Sequence, residues 1–213
     1  MISRIIALLK KHYSAEEFAK VNSRDPYKVL VSCILSLRTK DTVSYPASKR
    51  LFRLADTPKK MVKISKQHLE SVIYPVGFYH TKAKTILDIS KRLIYRYHSK
   101  VPDTIDELLK FKGIGRKTAN IVVTYGYNLP GIAVDTHVHR ISNRLGLVKT
   151  KTPEKTEFAL RKTIPMKYWI ILNELLVRHG QNICRPVSPK CQKCMLTRYC
   201  KYYKNIFLKK AKK

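Results

Sequence analysis

Apolar positions along this chain recur mainly at intervals of three and four residues, the spacing of one buried face on a 3.6-residue helix. Met1 to Ser14 interleaves Ile5, Ile6, Leu8 and Leu9 with Arg4, Lys10 and Lys11 and predicts a short amphipathic helix. Ser14 followed by Glu17 is a capping box that opens a second helix at Ala15. Tyr27 to Leu37 is an apolar run, closed by a polar turn from Ser36 to Asp41. Further helices are predicted over Pro46 to Leu54 and Lys59 to Leu69. From Thr81 to Tyr97, Ala83, Ile86, Leu87, Ile89, Leu93 and Ile94 build a helical face. Pro102-Asp103-Thr104 starts the next helix, with Glu107 placed to complete its cap. Ile121 to Thr124 is β-branched, but helical residues precede it, so it is kept in a helix. Thr136 to Arg144 is helical with Asp135 at its N-cap, Thr152-Pro153 opens another helix, and Pro165 to Arg178 is the last long one. Strand signals are few, no segment repeats, and the only biased stretch is the lysine-rich tail, Lys209 to Lys213. The pattern predicts an all-α protein.

Composition narrows the function. The 213 residues suffice for one large or two small domains with a real core, and 44% are apolar, which marks a globular chain. No apolar stretch approaches the roughly 20 residues of a membrane span. The N-terminus lacks a small-residue cleavage site, so it is not read as a signal peptide, and a cytoplasmic protein is expected (nucleoid-associated in a prokaryote). Lysine and arginine number 44 against 14 aspartate and glutamate, a net charge of +30. Self-repulsion on that scale calls for an anionic partner. Nucleic acid is the usual one, although charge alone separates neither DNA from RNA nor either from a membrane surface.

Two clusters carry chemistry. In Leu108-Leu109-Lys110-Phe111-Lys112-Gly113-Ile114-Gly115-Arg116-Lys117-Thr118-Ala119-Asn120, a Gly-x-Gly turn separates two helical stretches. Gly113 and Gly115 permit positive φ and close approach of a phosphate, and the helix after Gly115 turns its positive end toward the same anion. Such contacts bind a backbone without reading sequence. The second cluster is Cys184, Cys191, Cys194 and Cys200, spaced C-x6-C-x2-C-x5-C. With no secretory signal a disulfide framework is not expected. Four thiolates in one short loop can hold a zinc ion or a 4Fe-4S cluster. Only one C-x2-C pair is present, whereas zinc sites more often use two. Cys33 stands apart in an apolar run and reads as a small core residue.

The hairpin segment resembles the helix-hairpin-helix of the endonuclease III family. Ala133-Val134-Asp135-Thr136-His137 resembles the aspartate motif of the same superfamily. The resemblance spans nearly the whole chain. It takes in Ser36 to Asp41, the segment Gly77 to Lys84 and the terminal cysteines, all in the family order. It implies two helical domains: a barrel over 21–130 that includes the hairpin (about 105–127), and a cluster domain from 1–20 with 131–213. It implies a bifunctional DNA glycosylase and abasic-site lyase of base excision repair, acting as a monomer on oxidised pyrimidines such as thymine glycol in double-stranded DNA. Lys117 is then the nucleophile and Asp135 its assistant, facing each other across the domain junction. The four cysteines carry a 4Fe-4S cluster whose loop holds Arg185 and Lys190 against a phosphate. Gly113, Gly115 and Arg116 meet DNA at the hairpin, and Arg38 and Phe78 fill the gap left by the extruded nucleotide. Two positions depart from the family pattern: common members often have glutamine within the first loop and leucine where Phe78 stands.

The chemistry agrees with those roles independently. Breaking an N-glycosidic bond builds positive charge on the sugar, which a carboxylate stabilises. An amine that attacks the anomeric carbon gives a Schiff base, and the imine acidifies the neighbouring sugar proton. A free lysine has a pKa of about 10.4, so roughly one in 2,500 is neutral at pH 7. Burial and the adjoining helix end are the expected remedies, while Asp135 pulls the other way. A monofunctional mismatch glycosylase for thymine, uracil or adenine shares everything but the hairpin lysine. A non-catalytic DNA-binding protein on the same scaffold is the remaining alternative, and an RNA-binding zinc protein has only the charge in its favour.

Overall fold

The computed structural model of this chain describes residues 1–13 and 25–211. The capping box at Ser14 and Glu17 lies outside them. Among the described residues the chain is helical with no strand, as the hydrophobic period predicts, and no helix is long and apolar enough to cross a membrane. The chain divides into two compact units, Ser23–Leu129 and a discontinuous one of Met1–Asn22 with Pro130–Lys213.

Helix α1 (Ile2–His12) belongs to the discontinuous unit and buries Ile5, Ile6 and Leu9. The continuous unit contains α2 (Pro26–Ser36), α3 (Asp41–Leu54), α4 (Pro58–Met61), α5 (Lys66–Ile73), α6 (Tyr79–Tyr97), α7 (Ile105–Leu109) and α8 (Arg116–Ile121). The apolar run makes α2 the centre of this unit. Leu30, Val31, Ile34 and Leu35 are buried in one core with Leu51, Met61, Leu69, Ile73, Ile86, Leu93 and Leu108. Each such side chain contributes about 1.5–3 kcal/mol by leaving water. A buried hydrogen bond of 2.7 Å between the hydroxyls of Tyr27 and Ser90 ties α2 to α6.

Four boundaries differ from the sequence expectation, each for a local reason. Helix α3 begins at Asp41, not Pro46, and carries Pro46 inside. Pro46 and Thr42, whose carbonyl the proline leaves without a helical partner, are both exposed. Lys59 to Leu69 is two helices, because Ser65 caps α5 by accepting the His68 N–H and so starts a new helix. After Ile121 the helix widens into a π-helical turn, Val122–Gly126. There the Thr124 hydroxyl bonds back to the carbonyls of Asn120 (2.8 Å) and Ile121 (3.1 Å). The last long helix starts at Trp169, after a 3-10 turn Met166–Tyr168, with the Trp169 indole N–H on the Ile164 carbonyl at 2.7 Å.

The discontinuous unit continues with α9 (Thr136–Leu145), α10 (Pro153–Thr163), α11 (Trp169–Asn182) and the short α12 (Leu208–Ala211). Its core joins Ile5, Ile6 and Leu9 to Val138, Ile141, Leu145, Leu160, Leu172, Leu175, Leu176 and Leu196.

In the continuous unit Gly126 is set by close approach. A Cβ there would lie 2.9 Å from the Pro26 Cα and 3.1 Å from its Cβ, against the start of α2. Gly126→Ala is therefore expected to destabilise the protein by about 1–3 kcal/mol. Urea unfolding measures it; an unchanged midpoint would show that the start of α2 yields freely.

Candidate functional site

Helices α7 and α8 form the predicted hairpin. Thr104 caps α7 by accepting the Glu107 N–H. Phe111 and Ile114 are buried and anchor the turn between the helices. Arg92 holds it from α6, donating to the Lys110 carbonyl at 2.7 Å and lying 4.8 Å from the centre of the Phe111 ring. Lys112, Gly113, Gly115 and Lys117 are left exposed, with Arg116 half-buried. The two glycines do different work. Gly113 has φ +89° and reverses the chain. Gly115, expected to share that freedom, is extended (φ −99°, ψ 173°) and is the N-cap of α8, because one left-handed residue completes the reversal. Nothing lies within 4 Å of a Cβ built on Gly115, so the backbone there is open to a ligand. Lys117 stands on the first turn of α8 and is exposed, so the burial expected of it is absent from the free protein. Cys33 packs at the edge of the core, where desolvation pushes its thiol up to about 12 despite the Lys117 ammonium acting against it.

Asp135 lies in the other unit, after the buried segment Ile132, Ala133 and Val134. It caps α9, its Oδ1 accepting the Val138 N–H at 2.8 Å. The Asn173 side chain on α11 donates to the Ala133 carbonyl at 2.8 Å and steadies the approach to the aspartate.

The four cysteines line one small cavity of about 20 Å³, partly open to solvent, together with Ile141, Leu145, His179 and Tyr202. Two arginines of α9 hold the loop that starts at Cys184. Arg140 donates to the Cys184 carbonyl at 2.9 Å, and Arg144 to the carbonyls of Arg185 (2.6 Å) and Pro186 (2.8 Å) and to the Cys184 Sγ (3.4 Å). Arg185 and Lys190 themselves are exposed. Burial raises the thiols of Cys191, Cys194 (to about 11) and Cys200, and the neighbouring thiolates raise them further. Four thiolates can coexist here only with a positively charged group among them. Among the described residues no His, Cys, Asp and Glu side chains are gathered tightly enough to hold a single ion. The thiols surround a shared space instead.

The two loops expected at the DNA gap do meet. Arg38 (φ 51°) and Phe78 (φ 59°) are both left-handed. The Arg38 guanidinium lies 5.8 Å from the centre of the Phe78 ring, and Phe78 is 62% exposed, which sets aside a core role. Each left-handed non-glycine costs roughly 1–3 kcal/mol, so something must hold them. Beneath them lies Lys82, only 6% exposed. Its Nζ donates to the carbonyls of Leu35 (2.8 Å) and Leu37 (2.5 Å) and to the Thr39 hydroxyl (3.0 Å). The same hydroxyl accepts the Gly77 N–H at 3.2 Å. Sequence reasoning gave no role to Lys82, Arg140 or Arg144. For Lys82 a signal was present: it adjoins Ala83 and precedes Ile86 by four residues, on the apolar side of α6.

Residues 31–166 match the HhH-GPD superfamily of base excision DNA repair proteins. The chain is 48% identical to endonuclease III of Thermotoga maritima over 84% of each chain. It is 35% identical to endonuclease III of Rickettsia conorii, over 97% of this chain and 98% of that one. A trapped endonuclease III–DNA covalent intermediate superposes with a TM-score of 0.82 at 33% identity, covering 95% of both chains.

Burial lowers the Lys82 ammonium to about 8, from an ordinary value of 10.5. Between these values the unfolded chain binds the extra proton, so stability should rise with pH from 8 to 10.5, by up to about 3 kcal/mol. Buried tyrosines and thiols with raised values pull the other way. The test is therefore the difference between wild type and Lys82→Met in urea unfolding at several pH values. Parallel curves across this window would show that the ammonium is not buried in solution.

Proposed function

Because the chain belongs to the HhH-GPD superfamily and, within it, to the endonuclease III family, we propose that it is a bifunctional DNA glycosylase and abasic-site lyase of base excision repair. It removes oxidised pyrimidines such as thymine glycol from double-stranded DNA and acts as a monomer. The observation that carries this reading is Lys117, an exposed amine on the first turn of the hairpin's second helix, where a monofunctional relative would lack it.

The residues support a definite sequence of steps. The Lys117 Nζ, as the neutral amine, attacks the sugar C1′. The C1′–N bond breaks and its electron pair leaves with the base, which takes up a proton. Asp135 stabilises the positive charge that builds on the sugar and accepts the proton that Lys117 must shed. The amine and C1′ then form a protonated imine as the ring opens. Loss of a C2′ proton sends its electron pair to break the C3′–O bond, and the 3′ phosphate departs. Hydrolysis of the imine frees Lys117. Exposed Gly113 and Gly115, with Arg116 beside them, give the DNA backbone its docking surface. Arg38 and Phe78 occupy the space of the extruded nucleotide.

Cys184, Cys191, Cys194 and Cys200 fit a 4Fe-4S cluster: the four share one cavity, where burial, and then the charge of neighbouring thiolates, disfavours ionisation without a cationic centre. When bound, the cluster supplies structural cross-linking of the loop. Arg140 and Arg144 fix that loop from α9, so Arg185 and Lys190 are presented on a stiff support to a phosphate.

Three outcomes are expected. Borohydride should trap the protein on a duplex bearing one thymine glycol, and Lys117→Ala should abolish the adduct; trapping by the variant would move the nucleophile elsewhere. Asp135→Asn preserves an N-cap acceptor, so it should unfold within about 0.5 kcal/mol of wild type yet lose about 10²–10⁴-fold in base release. Undiminished base release would remove Asp135 from the reaction. Pure protein should be yellow-brown, and removing its iron should weaken duplex binding at least fivefold in an anisotropy titration; unchanged affinity would separate the cluster from DNA binding.

A further inference from the structure

We propose that Lys82 is a positioning residue: its ammonium fastens the loop at residues 37–40 to the turn at Gly77 and Phe78, so that Arg38 and Phe78 act as one wedge. The inference rests on the glycosylase reading and adds to it the part that sets the wedge.

Three independent features converge on that ammonium. The first is the carbonyl end of α2, where the last turn leaves acceptors without helical partners. Lys82 takes the Leu35 carbonyl in that turn and the Leu37 carbonyl just beyond it, as a cation at the negative end of a helix. The second is Thr39. A hydroxyl has one proton to give and two lone pairs to offer. Here it donates to the Leu37 carbonyl at 3.3 Å and accepts from Lys82 and from the Gly77 N–H, so no capacity is left over. The third is Gly77, where a Cβ would stand 3.2 Å from the Arg38 carbonyl and 3.3 Å from the Thr39 hydroxyl. The Gly77 backbone, immediately before Phe78, therefore packs close against the carbonyl of Arg38 itself and the side chain of Thr39.

The consequence concerns function because the wedge residues depend on how these two loops are held. Both are exposed and both hold a left-handed backbone that relaxes without restraint. Their guanidinium and ring lie together only while the loops stay in register. Without the fastening each remains tethered to its own helix, and the pair enters the duplex as two separate side chains. Opening a paired lesion should then suffer, whereas a lesion already unpaired needs no wedge.

The experiment compares thymine glycol in a fully paired duplex with the same lesion in an unpaired bubble, a 2-aminopurine next to the lesion reporting extrusion. Lys82→Met, Thr39→Val and Gly77→Ala should each lose at least tenfold in kcat/KM on the duplex, lose the 2-aminopurine rise, and stay within twofold of wild type on the bubble. Thr39→Ser, which keeps the hydroxyl, should restore the duplex rate. Equal losses on both substrates would reduce Lys82 to a structural strut and overturn the proposal, as would no loss on either. If circular dichroism shows Lys82→Met unfolded, the Thr39→Val and Thr39→Ser pair decides alone. Borohydride trapping of wild type on a single-stranded abasic site is run alongside. Its failure would sink the bifunctional glycosylase–lyase reading on which this inference rests, whereas trapping with indifferent variants sinks the fastening alone.

Discussion

An all-helical chain leaves unsatisfied backbone groups at every helix end: N–H groups at the start, carbonyls at the finish. Those ends organise everything this protein does. The start of α8, which no side chain caps, carries Gly115, Arg116 and Lys117. The start of α9 is capped by the aspartate assigned to catalysis. The carbonyl end of α2 is closed by Lys82. The carbonyls that follow α11 receive Arg140 and Arg144 and so fix the entry to the cysteine loop. A sheet would satisfy its backbone internally and display side chains from its faces. Here the functional groups stand where the backbone itself is still looking for partners.

The charge balance explains why so many of those partners are cations on carbonyls. With 44 basic residues and 14 acidic ones, most arginines and lysines cannot find a carboxylate. Arg50 docks on the carbonyls of Val72 and Tyr74, Arg92 on that of Lys110, and Arg144 on those of Arg185 and Pro186. A carbonyl neutralises nothing, so these contacts shape the loops while the excess positive charge persists for the phosphate backbone to meet.

Much of this was legible in the sequence, and the part that was not has a common cause. Helix type followed from the apolar period, and caps such as Thr104, Thr152 and Asp135 followed from side chains that compete for the first N–H groups. The four cysteines and the hairpin stood out because their spacing is local. Lys82 and Arg144 were not assigned because their partners are distant carbonyls: Lys82 reaches back 45 residues to Leu37, and Arg144 forward 41 to Arg185. Carbonyls are the same in every residue type, so no pattern of side chains marks them. The split between α4 and α5 was hidden for a related reason. Ser65 breaks a helix only through the hydrogen bond it makes, and periodicity across it continues through Met61 and Leu69.

Two lysines show why geometry outranks proton affinity in choosing a nucleophile. With its ammonium lowered to about 8, Lys82 would be selected on that value alone. Its nitrogen is closed off by two carbonyls and a hydroxyl, and substrate cannot reach it. Lys117 has the opposite character, exposed on a hairpin whose neighbours leave room for a phosphate. Burying an attacking amine in the free enzyme would cost stability continuously and leave it nothing to attack. Leaving it in water defers desolvation until the nucleotide itself covers it, when the same event supplies the electrophile. The buried lysine then serves best as a fixed cation, and the exposed one suits the role of reacting group proposed for it.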